Sequence, residues 1–209
     1  EYTAICRSLL NGSVDIDALS TELKYLYYHI MSAYYYAIAD LQQSLAILKK
    51  NLDLFQECEQ DDLIAVNKQI SALTNAIYIS DKLGDYKNSI TYLNQLKALA
   101  SQVTANDDLQ IKLFSSISSI ELSMNLRKGT FSKASMIAEE VKTKLDLYGD
   151  KVVPARRAFL EFKIAVSFIG VGNFNEALRW VNRILNDGDL DQTEDIISFT
   201  QLLELLIHL

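Results

Sequence analysis

Few residues in this 209-residue chain are placed to do chemistry. The two histidines, His29 and His208, have no second histidine or carboxylate at ligand spacing, so no metal site is expected. The two cysteines, Cys6 and Cys58, lie 52 apart, with no CxxC and no neighbouring histidine. That is neither a zinc nor a redox arrangement, and two lone cysteines fit a reducing compartment. Ser115, Ser116, Ser118, Ser119 and Ser123 cluster on a stretch that reads as helix. There they favour close helix packing or a polar groove over nucleophilic catalysis, because no Ser/His/Asp spacing sits on a strand-to-helix turn. No glycine-rich loop is present to cradle a phosphate. Neither an enzyme nor a cofactor is expected.

What remains is the chemistry of recognition. Tyr25, Tyr27, Tyr28, Tyr34, Tyr35 and Tyr36 hold six of the eleven tyrosines within one predicted helix. At about 100° per residue, Tyr28 and Tyr35 share a face, with Tyr25 and Tyr36 near it and Tyr27 and Tyr34 on the adjoining face. That ring is too wide for one buried seam, so some hydroxyls are expected to reach water or a ligand. Tyrosine offers a large rigid area with a polar tip, which suits it to recognition, and Tyr28 and Tyr35 are the expected anchors. The competing expectation is inter-repeat packing with hydroxyls at the rim. Charge supplies a second candidate. The net charge is -7, but residues 127–163 carry nine Lys/Arg against five Asp/Glu. Arg156 and Lys163 belong to that segment, which is either a set of solvated helix faces or a surface for an acidic partner. Nucleic acid is disfavoured by the acidic total and by the scatter of the basic residues over three predicted helices.

The elements that must position these residues are announced by a repeat. Gly172-Asn173-Phe174-Asn175-Glu176-Ala177 recurs as Gly129-Thr130-Phe131-Ser132-Lys133-Ala134 and as Gly84-Asp85-Tyr86-Lys87-Asn88-Ser89. A weaker copy is Ala39-Asp40-Leu41-Gln42-Gln43-Ser44, and the spacings are 45, 45 and 43 residues. A fixed period in that range marks a helical solenoid. In each copy the glycine is expected to end one helix, at positive φ for Gly129 and Gly172. The aromatic two residues on is expected to pack into the corner, and Ala134 and Ala177 are expected to let the second helix lie close against the first. One proline, seven glycines and 49% hydrophobic residues read as an all-α chain with an ample core, more than about three-quarters helical.

Residues 1–11 read as a helix end stopped by Asn11-Gly12. Predicted helices then run from the Asp15-Ile16-Asp17 segment to about Ile38, and over 41–55, 62–83, 86–102, 107–128, 131–147, 154–171, 174–186 and 196–209. Asp61 and Asp62 suit a helix N-terminus by capping and charge, Gly149 a helix stop, and Pro154 a first turn. Helix 196–209 has the length and apolarity of a first helix without its second. Its open end at Leu202 to Leu209 is a candidate for pairing with a copy of itself. No secretory signal is visible and no apolar run reaches about 18 residues, so the expected location is cytoplasmic, away from any membrane. The pattern opens mid-element at Glu1 and stops in an apolar helix at Leu209, and it reads as a segment of a longer chain.

The turn pattern Gly-x-aromatic-x-x-small between two helices resembles the tetratricopeptide repeat family. In the fourth unit Ala165 and Phe168 precede Gly172 by seven and four residues, at the family's small and aromatic positions. Ser32 and Tyr35 precede Ala39 in the same way. The second and third units depart, with Ile77 and Ser80, then Leu122 and Asn125, and the period of about 44 exceeds the family's usual 34. The resemblance implies a single right-handed α-solenoid over 1–209, with hairpins at about 15–55, 62–102, 107–148 and 154–186 and longer helices than usual. It also implies a scaffold whose first helices line a concave face that holds a protein or peptide. Some members grip a C-terminal carboxylate with Lys, Arg and Asn ten and six residues before the turn. Here those places hold His29, Thr74, Ser119 and Phe162, then Ala33, Tyr78, Ser123 and Val166, so that clamp is not expected. The residues expected at a partner surface are Tyr25, Tyr28, His29, Tyr35, Tyr36, Tyr78, Ser119, Ser123, Arg156 and Lys163. The alternative is a sensory or regulatory repeat domain of a larger signalling or transcription-regulator chain.

Overall fold

A computed structural model describes residues 15–57, 63–148, 151–191 and 195–209. Helix accounts for 83% of these residues, and no strand occurs among them. The helices are α1 Thr21–Ala37, α2 Leu41–Asp53, α3 Leu63–Lys82, α4 Tyr86–Gln102, α5 Asp107–Arg127, α6 Phe131–Tyr148, α7 Pro154–Gly170, α8 Phe174–Leu185 and α9 Asp195–His208. A short 3-10 turn, Leu54–Glu57, follows α2. The expectations for residues 1–11, Cys6, Cys58, Asp61, Asp62 and Gly149 lie outside the described residues.

The four repeat turns share one hydrogen-bond pattern. Ala39, Gly84, Gly129 and Gly172 have φ of 63°, 73°, 66° and 75°. The N–H one residue later reaches back five residues, from Asp40, Asp85, Thr130 and Asn173 to the carbonyls of Tyr35, Ser80, Asn125 and Phe168, at 2.9, 2.8, 3.0 and 2.9 Å. This left-handed cap satisfies the last carbonyls of the first helix. The next residue starts the second helix. Asp40, Asp85 and Asn173 accept from the backbone N–H groups of Gln43, Asn88 and Glu176 at 3.0, 3.2 and 3.2 Å. One dipeptide thus ends one helix and caps the other. Five residues after the left-handed position stand Ser44, Ser89, Ala134 and Ala177, all fully buried at the crossing of the paired helices. Ser44 Oγ donates to the Ser32 carbonyl at 2.8 Å, so this buried hydroxyl is satisfied inside its hairpin.

Two details differ from the sequence reading. α1 begins at Thr21 rather than near Asp15, because Ser20 Oγ accepts from Leu23 N–H and takes the N-cap role. The turn aromatics do not uniformly fill the corner: Tyr86 is 51% exposed and Phe174 49%. A side chain at the first position of a helix points away from the partner that the fourth position meets, so it packs only where another element arrives. Phe131 finds one, lying against Gly170.

The helices pack into two compact units, Glu1–Gln102 and Val103–Leu209. In the first, α1 packs on α2, α2 on α3 and α3 on α4. Lys68 Nζ bridges to Glu22 at 3.1 Å, and Lys82 donates to the Tyr36 hydroxyl. Both contacts advance in step along the chain, so the first helices α1 and α3 run parallel. In the second unit α5 packs on α6 and α7, α6 on α7, α7 on α8, and α9 on α8 and α7. Contacts from Lys142 to Glu176 and from Asp146 to Arg183 show the second helices α6 and α8 running parallel as well. The core here joins Phe114, Leu122, Val141, Leu145, Leu160, Ile164, Phe168, Trp180 and Val181. α8 shows how sequence sets a face: Ala177, Trp180, Val181 and Ile184 are buried at helical spacing, and Asn175, Arg179 and Asn182 point outward.

Candidate binding surfaces

The tyrosine helix α1 divides its aromatics between core and surface. Tyr25 is buried, stacked on His29 at 5.8 Å and edge-on to Phe55 at 5.8 Å, with Lys68 Nζ 5.0 Å from its ring centre. Burial raises its phenol pKa and the Lys68 ammonium opposes that. Tyr34 is buried with Met31 and Ile47, and Tyr28 and Tyr35 pack half-buried against that cluster. Tyr36 is 43% exposed, with Lys82 Nζ 4.6 Å from its ring centre. On α3, Tyr78 is 38% exposed. His29 is half-buried beneath Tyr25. Of the expected residues in this unit, Tyr36 and Tyr78 present the most surface. Lys68 and Lys82 escaped the sequence reading, although each lies 46 residues, about one repeat, from its partner Glu22 or Tyr36.

In the second unit the first helices α5 and α7 run parallel, side by side. Lys151, just before α7, meets Asp107 at 3.7 Å, Arg156 Nη1 donates to Ser115 Oγ at 3.4 Å, and Lys163 donates to Ser119. The expected residues Ser119 and Lys163 are therefore brought together, whereas Arg156 joins Ser115, which is buried and also donates to the Lys112 carbonyl at 3.0 Å. Ser123 lies half-buried one turn further along α5. Between the two helices opens a cleft of about 220 Å³ lined by Asp108, Ile111, Lys112, Ser115, Lys151, Val152, Val153 and Arg156. Burial and the neighbouring Arg156 lower the Lys112 ammonium pKa. Burial, with Arg127 acting in the same direction, brings Lys163 down to about 8. Lys112 was legible only as part of the spacing Asp108, Lys112, Ser116, Ser119, Ser123, a stripe along one helix.

A second ionic group lies between α7 and α8. Glu161 is 0% exposed, and Arg183 Nε stands 2.7 Å from its Oε1. The two charges touch, yet neither carboxylate oxygen accepts an aligned hydrogen bond. Burial outweighs Arg183 and Arg157 and lifts the Glu161 pKa to about 7. Beside it Arg157 pairs with Asp187 at 2.7 Å. Burial pushes the Asp187 pKa up, but the Arg157 hydrogen bond, the Asp189 N–H and the two guanidinium groups together bring it below its usual value.

Among the described residues no group of three or more His, Cys, Asp or Glu side chains is gathered to hold a metal ion. No helix among them is long and apolar enough to cross a membrane. Comparison with family models, curated proteins and solved structures gives no match.

Proposed function

We propose that the chain is a tetratricopeptide-like helical repeat that binds a polypeptide along the open face of its first helices, acting by shape and side-chain complementarity. One observation carries this reading. The eight positions ten and six residues before the turns are His29, Ala33, Thr74, Tyr78, Ser119, Ser123, Phe162 and Val166. All eight are half-buried or exposed, while the positions seven before the turns, Ser32, Ile77, Leu122 and Ala165, are buried. In the first three repeats the first helix thus keeps one side in the core and another towards the surface at the same register, and in the fourth the matching Phe162 and Val166 stay partly exposed while packing against the core. The open side mixes aromatic, hydroxyl and aliphatic groups, a composition that suits peptide recognition.

The test is site-specific photo-crosslinking in cells of the source organism. A photoreactive residue at Tyr78, Ser123 or Val166 is expected to yield a discrete protein adduct. The same residue at Gln43 or Met136, exposed on the second helices, is expected to yield none. Equal adducts from both sets, or a retained small molecule in place of a protein, would remove the reading.

A further inference from the structure

We propose that the cleft between α5 and α7 is a subsite for the carboxylate side chains of an acidic polypeptide segment. This rests on the first-helix face being a binding surface, and it adds the chemistry of what that face holds. Lys112, Lys151 and Arg156 line the cleft, and among the described residues Asp108 is the carboxylate in its wall. Lys151 also meets Asp107 at the rim, where both side chains are largely exposed and such a pair is weak. Arg156 and Lys163 reach across from α7 to α5. Their hydrogen bonds go to neutral oxygens, Arg156 to the Ser115 hydroxyl and Lys163 to the hydroxyl and carbonyl of Ser119. Ser115 is itself held by the Lys112 carbonyl, so Arg156 is steered by a fixed hydroxyl.

The crowding has an electrostatic consequence. Burial and the Arg156 guanidinium disfavour the Lys112 charge, and burial and Arg127 disfavour the Lys163 charge. An anion entering between these cations relieves both repulsion and desolvation. Arg156 and Lys163 are seven residues apart on one face of α7, about 10 Å along the helix. That separation matches carboxylates two turns apart on a bound helix or three residues apart in an extended segment. A short run of Asp and Glu satisfies it. A long polyanion does not, because the chain as a whole carries -7 and repels charge beyond the cleft.

The experiment measures fluorescence anisotropy of labelled hexaglutamate and hexaglutamine peptides on the intact chain. Hexaglutamate is expected to bind, more weakly as salt rises, and hexaglutamine is expected not to. Arg156→Gln and Lys112→Gln are each expected to weaken binding about tenfold, and Lys133→Gln, a charge removed from exposed α6, is expected to leave it unchanged. Matching circular dichroism melts would show that the variants keep the fold. If all three variants weaken binding equally, the attraction is general and the inference falls. It falls too if inorganic phosphate or a single-stranded oligonucleotide binds more tightly than hexaglutamate at the same site. In either case the first-helix reading is judged separately, by the adducts at Tyr78, Ser123 and Val166.

Discussion

Two residues, Ala39 and Glu161, are held in the fold against their own local preference. Ala39 holds φ of 63° where the other three turns use glycine. An L-residue with a Cβ costs about 1–2 kcal/mol in that region. Glycine there would relieve the strain but loses about 0.4–1 kcal/mol of unfolded-state entropy. Ala39→Gly is therefore expected to stabilise by about 0.5–1 kcal/mol, and Gly172→Ala to destabilise by a similar amount; urea midpoints of the two variants check the pair. Glu161 is the other residue. Its pKa is about 7 in the folded chain against an ordinary 4.5. The folded state thus holds its proton more tightly than the unfolded chain does. Stability from this group is complete below 4.5 and is lost as pH rises towards and through 7. At about 1.4 kcal/mol for each pH unit between the two values, the loss is on the order of 3 kcal/mol. Asp187 and Glu176 have lowered pKa values, so their contributions are lost only at acid pH, below that window. The parent is expected to lose stability from pH 5 to pH 8 relative to Glu161→Gln, which cannot ionise. A constant difference between the two proteins over that range would mean that Glu161 does not titrate there.

At the scale of elements, nearly every helix boundary was legible because the repeat turn encodes two signals in two residues, a left-handed position and then a cap. Asp40, Asp85 and Asn173 stand where a second helix needs an acceptor, and Pro154 stands where α7 needs no donor. The start of α1 was not legible, because Asp15, Asp17 and Ser20 are all competent caps and local chemistry does not choose among them. The candidate surface was legible only in outline. Position in the repeat placed Ser119 and Tyr78 on the open side, yet no local pattern says that Lys163 crosses to Ser119 or that Tyr25 is buried. Such facts depend on which helix becomes the neighbour. Gly170 is the clearest case. Read locally, it is a weak helix former at the end of α7, and alanine would be the better residue. A Cβ there would run into the Phe131 ring and stand 2.8 Å from the Phe131 Cβ. Gly170→Ala is therefore expected to destabilise by roughly 1–3 kcal/mol through overpacking. Combined with Phe131→Ala it is expected to cost less than the sum of the two single changes, since the two closest contacts are with the ring and only the 2.8 Å approach of the two Cβ atoms is left to relax. Additive costs in that cycle would mean that the two elements do not touch.

At the scale of the whole chain, the 45-residue period and the packing divide the molecule differently. The repeat marks four hairpins, whereas the packing gathers the chain into two units. The second unit contains the elements of a self-sufficient domain. The buried residues of its core clusters all lie between Ile111 and Leu203. Asn106 caps α5 from within the unit, accepting from Leu109 N–H at 2.9 Å. Each buried Leu, Ile, Val or Phe side chain contributes about 1.5–3 kcal/mol of transfer free energy. Leu122, Leu145, Leu160, Ile164 and Val181 of the main cluster are each fully enclosed. The ion pairs of Lys142 with Glu176, Arg157 with Asp187 and Arg183 with Glu161 all close inside the same segment. A fragment spanning residues 103–209 is therefore expected to fold alone, with the far-ultraviolet circular dichroism of a helical protein and one cooperative thermal transition. A unit of this size buries a modest share of its unfolded surface and is only marginally stable, so its midpoint is expected to respond sharply to a core defect. Leu160→Ala, at a fully buried position, is expected to remove about 2–5 kcal/mol and to abolish the transition or shift it far downward. Leu206→Glu, on the exposed side of α9, is expected to leave it nearly unmoved. A fragment without cooperative melting, or one that tolerates Leu160→Ala as easily as Leu206→Glu, would show that residues 103–209 have no core of their own.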